Sequence, residues 1–341
     1  MSQHSNFKDL SLKIKLEINN ASNILLHCHP YPDPYSVCSV LAMQSVLGQM
    51  GKNVTVIQGD TDIPTNLCEL KNISLIKQQD WTQIDTTAFD LFIILDSSSL
   101  SQITQKVDVV LPVTMRTVVI DHHNTNEHFG DINLVEETYA STTQILYDLF
   151  TLWEVSISKD LALYLFLGMF ADTGGFRYFN TTPEVFQTAH ELVRIQPDYH
   201  EALFSMDNNK SAVELEMVGL ALMSLEKYYS DKIVFSIIPY YEVHKRNLTK
   251  EQAMEGLIAN TLRSVKGWQV VASLVEAEPN IVTISLRTRD ELRYDMSLIA
   301  RAVGAKGGGH RGAAGTTVYQ SIDQAKVELL EKLLLNYPDL A

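Results

Sequence analysis

In the stretch Thr117-Val118-Val119-Ile120-Asp121-His122-His123, four β-branched residues run straight into three side chains able to bind a cation or carry a proton. An uninterrupted β-branched run reads as a buried strand of a parallel sheet, with the polar tripeptide at its C-terminal end. In open α/β sheets that edge is where active sites form. Taken alone, two adjacent histidines also fit an ordinary surface.

Three further apolar runs end the same way. Asn23-Ile24-Leu25-Leu26 is followed by His27, His29 and Asp33, and Leu91-Phe92-Ile93-Ile94-Leu95 by Asp96. The helical-looking run 161–170 is followed by Ala171-Asp172-Thr173-Gly174-Gly175. A carboxylate directly behind a buried element is costly without a partner. Such sites gathered in one half of the chain imply that they converge, and a shared cation is the simplest group to make that favourable. Aspartate and histidine donors suit Mn²⁺, Mg²⁺, Zn²⁺ or Fe²⁺. Cys28, Cys38 and Cys68 lack C-x-x-C spacing, which argues against a structural zinc site and for free thiols in a reducing compartment. Cys28 lies beside the candidate ligands and reads as a strand residue.

At 341 residues, 45% hydrophobic and 20% charged, the chain has material for two cored domains. A net charge of −14 speaks against a nonspecific grip on long nucleic acid, which needs a broad basic surface. A small anionic ligand is compatible, because cations and a few arginines reverse the potential locally. Met1-Ser2-Gln3-His4-Ser5 shows neither a basic leader nor an apolar core, and no run approaches a membrane span. The expected location is cytoplasmic.

Strand-like and helix-like segments alternate in the first half, the pattern of a parallel sheet with crossover helices. Strands are expected at 24–27, 54–57, 91–95 and 116–120, and helices at 36–50, 142–152, 159–170 and 183–193. The helix from Ser36 stops at Gly51 and aims its positive end at the ligand cluster. Thr182 suits the cap of the helix at 183–193. Residues 199–229 look helical and carry no motif. The expected division is an α/β domain with the metal site at 1–195, a helical linker at 196–229 and a smaller mixed α/β domain at 230–341, with a cleft between the two domains. In the last, strands are expected at 233–238, 269–276 and 281–287, and helices at 248–265 and 295–303. Gly307-Gly308-Gly309-His310 is too rich in glycine for a strand or helix interior and reads as a loop. Its N–H groups could cradle an anion, with His310 as a further donor.

Order, spacing and flanks together resemble a known family. His29-x-x-x-Asp33, Asp96, Asp121-His122-His123 and Asp172-Thr173-Gly174 resemble the motifs of the DHH phosphoesterase superfamily. The segment Gly307-Gly308-Gly309-His310-Arg311-Gly312-Ala313-Ala314-Gly315 resembles the glycine-rich signature of the DHH-associated C-terminal domain. The likeness extends over about 23–318. It implies that His29, Asp33 and Asp96 hold one cation and Asp96, His122 and Asp172 a second, with Asp96 bridging and Mn²⁺ preferred. Two dications outweigh three carboxylates, so the site stays positive and attracts phosphate. His123 then contacts a phosphoryl oxygen or gives a proton to the leaving alkoxide, and Asp121 orients a histidine. Gly308, Gly309, His310 and Arg287 bind substrate by the same resemblance, with Arg289 and Arg293 as alternatives to Arg287. Arg177 and Tyr178 line the cleft or stabilise a turn, and His27 supports the ligands without binding metal.

Three places depart from the family. The first motif usually has a second acid two residues after the first, and here Tyr35 stands in its place. Cys38 replaces a usual glycine, and Ser97-Ser98-Ser99 replaces the common tail behind Asp96. The expected cofactor is therefore one firmly held divalent cation and a second held more weakly.

Length and domain content resemble the stand-alone nanoRNase type of the family. That implies hydrolysis of very short oligonucleotides, of 3′-phosphoadenosine 5′-phosphate, or of linear or cyclic di-AMP. The alternative is a nucleotide-binding protein with weak or no catalysis, and a third is a metal-bound scaffold. Expected partners are a small nucleotide or short single-stranded oligonucleotide, with no long nucleic acid and no membrane; a homodimer is compatible with this reading.

Overall fold

The computed structural model describes residues 3–208 and 211–341. They form two compact units, divided in sequence between residues 209 and 210.

The first unit is built on β1 (Asn23–His27), β2 (Asn53–Ile57), β3 (Ile76–Lys77), β4 (Leu91–Leu95), β5 (Arg116–Asp121) and β6 (Ile132–Val135). Their order is β3-β2-β1-β4-β5-β6, and every neighbouring pair is parallel. Helices α1 (Gln3–Asn20), α2 (Pro34–Gln49), α3 (Thr142–Leu152), α4 (Lys159–Asp172), α5 (Pro183–Ile195) and α6 (Tyr199–Asp207) complete it. Both faces of the sheet are covered, which is why the central strands β1, β4 and β5 carry unbroken apolar runs. Ile24, Leu26, Ile93 and Ile120 face the main core with residues of α1 to α5. Leu25, Phe92, Ile94 and Val119 face a smaller core closed by Trp81, Ile103 and Met115 of the connecting loops. Each such side chain, fully buried, contributes about 1.5–3 kcal/mol.

This order reverses between β1 and β4, whose chains leave toward opposite sides. The crevice so formed at the C-terminal ends of the strands is the usual ligand position of a doubly wound sheet. Asp121, the last residue of β5, and the segments after β1, β4 and β5, which carry His29, Asp33, Asp96, His122 and His123, all lie there. Asp33 starts α2 by accepting a hydrogen bond from Ser36 N, with Pro34 supplying the fixed φ of the first turn. Thr182 sits at the N-cap of α5, but its side chain makes no capping bond to the backbone there.

The second unit contains α7 (Ala212–Met223), β7 (Leu225–Tyr228), β8 (Ile233–Ile238), α8 (Tyr240–Lys245), α9 (Lys250–Met254), α10 (Ala259–Leu262), β9 (Val270–Glu278), β10 (Ile281–Thr288), α11 (Met296–Val303), β11 (Gly308–His310), β12 (Ala313–Val318) and α12 (Ile322–Asn336). Its mixed sheet runs β11-β12-β10-β9-β8-β7, parallel only at β8–β9. Residues of α11 and α12 cover one face through Phe235, Leu274 and Leu286. On the other face, α7 to α10 close over Val234, Val271 and Val275.

Three expectations are corrected here. The segment 196–229 is not one helical linker: α6 falls in the first unit, while α7 and the edge strand β7 fall in the second. The single helix expected at 248–265 is two short ones, interrupted around Gly256, where a side chain would come within 2.4 Å of Ile238. The glycine-rich loop is largely strand: Gly308, Gly309 and His310 pair with Gly315, Ala314 and Ala313 of β12. Gly309 permits this because its φ is +125° and a Cβ would lie 2.6 Å from Ala313 O. Among the described residues no helix is long and apolar enough to cross a membrane.

Candidate metal centre

Strand ends and one helix end deliver the centre. His29 Nε2 lies 3.0 Å from Asp33 Oδ2, while the His29 backbone N–H donates to Ser36 Oγ at 3.0 Å. Asp33 therefore uses one oxygen to cap α2 and turns the other to His29. Asp96 is buried behind β4 with φ +55°, a left-handed conformation that costs a non-glycine residue about 1–2 kcal/mol. Its N–H donates to Ile120 O at 3.1 Å, and its Oδ1 accepts from Thr142 Oγ1 at 2.8 Å. The strain is thus held by β5 and α3, in a place where strain is commonly functional.

His122 Nδ1 faces Tyr139 O at 3.3 Å, so Nε2 is the nitrogen presented to the carboxylates. It lies 3.1 Å from Asp172 Oδ2 and 3.7 Å from Asp96 Oδ1. His123 Nδ1 donates to buried Asp121 Oδ1 at 2.7 Å. The second Asp121 oxygen accepts from Asn126 Nδ2 at 2.7 Å, and that amide also donates to Ser97 O at 3.1 Å. The pairing leaves His123 Nε2 as the nitrogen facing outward from this clamp.

Donor atoms fall into two groups, within each of which they lie within 4.8 Å of one another: His29, Asp33 and Asp96, and Asp96, His122 and His123. Asp96 belongs to both, and Asp172 joins the second through His122. Burial pushes the Asp96 carboxyl up to about 6, with Asp172 and Asp121 adding to the effect against the pull of His123 and His122. For His122, burial draws the pKa down but the neighbouring Asp172 and Asp96 outweigh it, to about 10. His29 and His123 are raised in the same sense, each against burial, by Asp33 and Asp121.

The donor set fits a divalent cation. Carboxylate oxygens and imidazole nitrogens are hard to borderline ligands. Buried Asp172 Oδ2 has no hydrogen bond of good geometry. Asp172 also ends α4, whose last turn carries no basic residue, so a carboxylate faces the negative end of a helix dipole. A cation held by His29, Asp33, Asp96, His122 and Asp172 would relieve both conditions.

Tyr35 stands in the first turn of α2, half-buried. Burial, then the charges of Asp33 and Asp172, push its phenol well above the usual range, so it stays neutral. Arg177 Nε donates to Gly174 O at 2.6 Å and closes the turn behind α4, over which Tyr178 packs against Gly174. His27 is not drawn toward the ligands: it packs on Phe92, its Nδ1 donates to Cys28 O at 2.9 Å, and burial holds its pKa down to about 3. Burial likewise pushes the Cys28 thiol up to about 12. Thr142, Asn126 and the Tyr139 carbonyl, which orient three of the metal-competent side chains, were not among the expected site residues. Asn126, five residues past Asp121, carried a faint sequence signal through its nearness to the tripeptide; Thr142 carried none.

In the second unit, Arg287 of β10 pairs with Ala313 of β12, which pairs with His310 of β11. Directly opposed residues share a face, so Arg287 and His310 flank a small alanine on one side of the sheet. Arg287 Nε donates to Asn260 Oδ1 at 2.7 Å and Nη1 to Leu286 O at 2.8 Å, which fixes the guanidinium. Arg289 instead donates to Arg263 O at 2.8 Å, and Arg293 pairs with Asp339 at 2.6 Å.

A family model described as the DHH family, N-terminal domain, matches residues 23–169, and one described as the DHHA1 domain matches 231–336. The chain is 29% identical over 238 residues to the bifunctional oligoribonuclease and PAP phosphatase NrnA of Thermus thermophilus, covering 70% of this chain and 68% of that protein. Its counterpart of the same name in Bacillus subtilis is 24% identical over 309 residues, covering 89% and 91%. Among solved structures, an exopolyphosphatase-related protein from Bacteroides fragilis superposes with a TM-score of 0.84 at 24% identity, covering 97% of both chains. RecJ from Thermus thermophilus in complex with Mn²⁺ gives 0.52 at 14% identity, covering 95% of this chain and 54% of that one. These superpositions speak to the fold.

Proposed function

The chain belongs to the DHH phosphoesterase superfamily and carries its DHHA1 domain, and from this premise we propose a metal-dependent phosphodiesterase or phosphatase acting on small nucleotides. The observation that carries the proposal is the sharing of Asp96 between two sets of donor atoms at the crevice between β1 and β4. When bound, a pair of divalent cations, Mn²⁺ by preference, supplies Lewis acidity toward phosphoryl oxygens and water.

The chain's own residues do the rest. His29, Asp33, Asp96, His122 and Asp172 would hold the cations, and Asp96 belongs to both groups of donor atoms. Asp121 fixes the proton of His123 on Nδ1, so Nε2 meets the substrate, where it contacts a phosphoryl oxygen or passes a proton to the departing alkoxide. Arg287, Gly308, Gly309 and His310 bind substrate, Arg287 taking its terminal phosphate or base through a guanidinium already held by Asn260. The NrnA relatives named as oligoribonucleases and PAP phosphatases support short oligonucleotides and 3′-phosphoadenosine 5′-phosphate as substrates. Linear and cyclic di-AMP share the same chemistry.

A second reading, a nucleotide-binding protein with weak or no turnover, is favoured by one observation: neutral Tyr35 lies among Asp33, Asp96 and Asp172 where another carboxylate would strengthen cation binding. An Mn²⁺-supplemented assay over di- to pentanucleotides, 3′-phosphoadenosine 5′-phosphate and cyclic dinucleotides separates the two. Turnover of any of these supports the enzyme; tight binding without turnover supports the binder.

A further inference from the structure

Between the candidate ligands His29 and Asp33 the chain places Tyr31, whose side chain is 56% exposed. Its hydroxyl donates to Gln105 Oε1 at 3.2 Å. Gln105 lies on the segment after β4, so the tyrosine spans from the β1 loop to the β4 loop across the crevice where the strand order reverses. The far anchor is itself fixed. Asp60, on the loop after β2, accepts from Gln105 N at 2.6 Å and from Thr104 Oγ1 at 2.5 Å. The near anchor is fixed by the same loop, because Thr61 N donates to Pro30 O at 3.0 Å. Gly59 allows that approach: a Cβ there would stand 1.9 Å from His29 O. Three loops at one sheet edge thus hold one exposed aromatic ring in a set orientation beside the metal centre.

An aromatic ring left in water contributes little to the fold, and its hydroxyl is already engaged. A ring immobilised before binding offers a flat apolar surface at a low entropic cost. Nucleobases stack on such rings whatever their sequence, each contact being sequence-tolerant because every base has a π-face. We propose that Tyr31, held by Gln105 and Asp60, is a stacking platform for the base of the nucleotide whose phosphate enters the metal centre. The proposal rests on the reading of that centre as a nucleotide phosphoesterase.

The test uses the full chain loaded with Mn²⁺ and two probes measured by calorimetry, adenosine 5′-monophosphate and inorganic phosphate. Tyr31→Ala should weaken the nucleotide by about five- to a hundredfold, the range of one base–aromatic stack, and leave phosphate affinity and Mn²⁺ content unchanged. Tyr31→Phe and Tyr31→Trp should keep most of the nucleotide affinity. Gln105→Ala, which leaves the ring but frees it, should show a smaller loss than Tyr31→Ala. Unchanged nucleotide affinity in Tyr31→Ala overturns the platform. So does a Tyr31→Phe loss as large as that of Tyr31→Ala, which would move the binding to the hydroxyl. A parallel loss of phosphate or Mn²⁺ also overturns it, because the ring would then only brace the ligand loop. A wild-type protein that binds phosphate but not the nucleotide overturns the platform and the nucleotide reading together, and is told apart from the other results by its own arm.

Discussion

Thr142 Oγ1 donates to Asp96 Oδ1 at 2.8 Å, and both side chains are buried. The bond ties the first turn of α3 to the carboxylate shared by both donor groups. Thr142→Val keeps the shape and removes the donor. Burial already raises the Asp96 pKa, and the loss raises it further. The expected result is Mn²⁺ affinity reduced about ten- to a hundredfold, as for other supports of metal ligands. Asp96→Ala should bind little metal and show no hydrolysis. Wild-type turnover by metal-supplemented Asp96→Ala would sink the two-cation assignment.

His310 and the metal ligands should separate cleanly. His310→Ala is expected to retain Mn²⁺, measured by elemental analysis, while nucleotide affinity falls about ten- to a hundredfold, the worth of one charge-assisted hydrogen bond. Arg287→Ala should act in the same direction, and Asn260→Ala more weakly, since it only loosens the guanidinium. Metal lost with nucleotide affinity unchanged would contradict the division of tasks.

Stability of the first unit should depend on Asp80 and on pH. Asp80 is 7% exposed and caps a short 3₁₀ turn that presents Trp81 to the smaller core. It accepts from Thr82 N at 2.8 Å and Thr82 Oγ1 at 2.6 Å, and pairs with Lys106. Burial raises its pKa, but the bonds from Lys106 and Thr82 outweigh it and leave the value below the ordinary 3.8. A lowered folded-state pKa gives stability that is present above the unfolded value and is lost as pH falls through the folded one. Asp80→Ala should therefore cost about 0.5–2 kcal/mol at neutral pH. The gap to wild type should shrink as pH drops below the ordinary carboxylate range. Urea unfolding followed by tryptophan fluorescence at several pH values checks this, and a gap that widens in acid would refute it.

Much of the frame was legible because burial on both faces writes the parallel strands as unbroken apolar runs, as at 91–95. The order of those strands was not, since it depends on contacts between distant segments. Helix α1 was passed over for a different reason. Leu10, Leu12, Ile14, Leu16 and Ile18 alternate with polar residues in the manner of a strand, yet the segment is helical. Ile14 and Ile18, one turn apart, are buried, while Leu12 and Leu16 are left 58% exposed, so tertiary packing overrides the local period. The glycine-dense stretch before His310 hid an edge strand because glycine weakens a strand signal even where β12 supplies the pairing. Candidate ligands could be read from their position behind apolar runs. Thr142 could not, being 46 residues from Asp96 and meeting it only once α3 has packed.

Tyr35 offers the sharpest test of the centre. It follows Asp33 by two residues, in the position where the family resemblance expects a second acid. Burial and the surrounding Asp33, Asp172 and Asp96 keep the phenol protonated, so it brings no charge to a cation. On the proposed assignment, the donors left to a second cation would be Asp96, His122 and Asp172, with His123 beside them. The first group, His29, Asp33 and Asp96, would keep all of its donors on that assignment. Activity should therefore rise with Mn²⁺ well beyond one equivalent, and a bound phosphate should draw the second cation in by adding negative charge. Tyr35→Asp should tighten that site, shift the activation curve to lower Mn²⁺ and raise the metal retained after gel filtration. Tyr35→Phe, which changes no charge, should leave the curve where it is. If wild type and Tyr35→Asp gave identical curves, both saturating at stoichiometric metal, the second cation would have another ligand in this chain, and the neutral phenol would have no bearing on its occupancy.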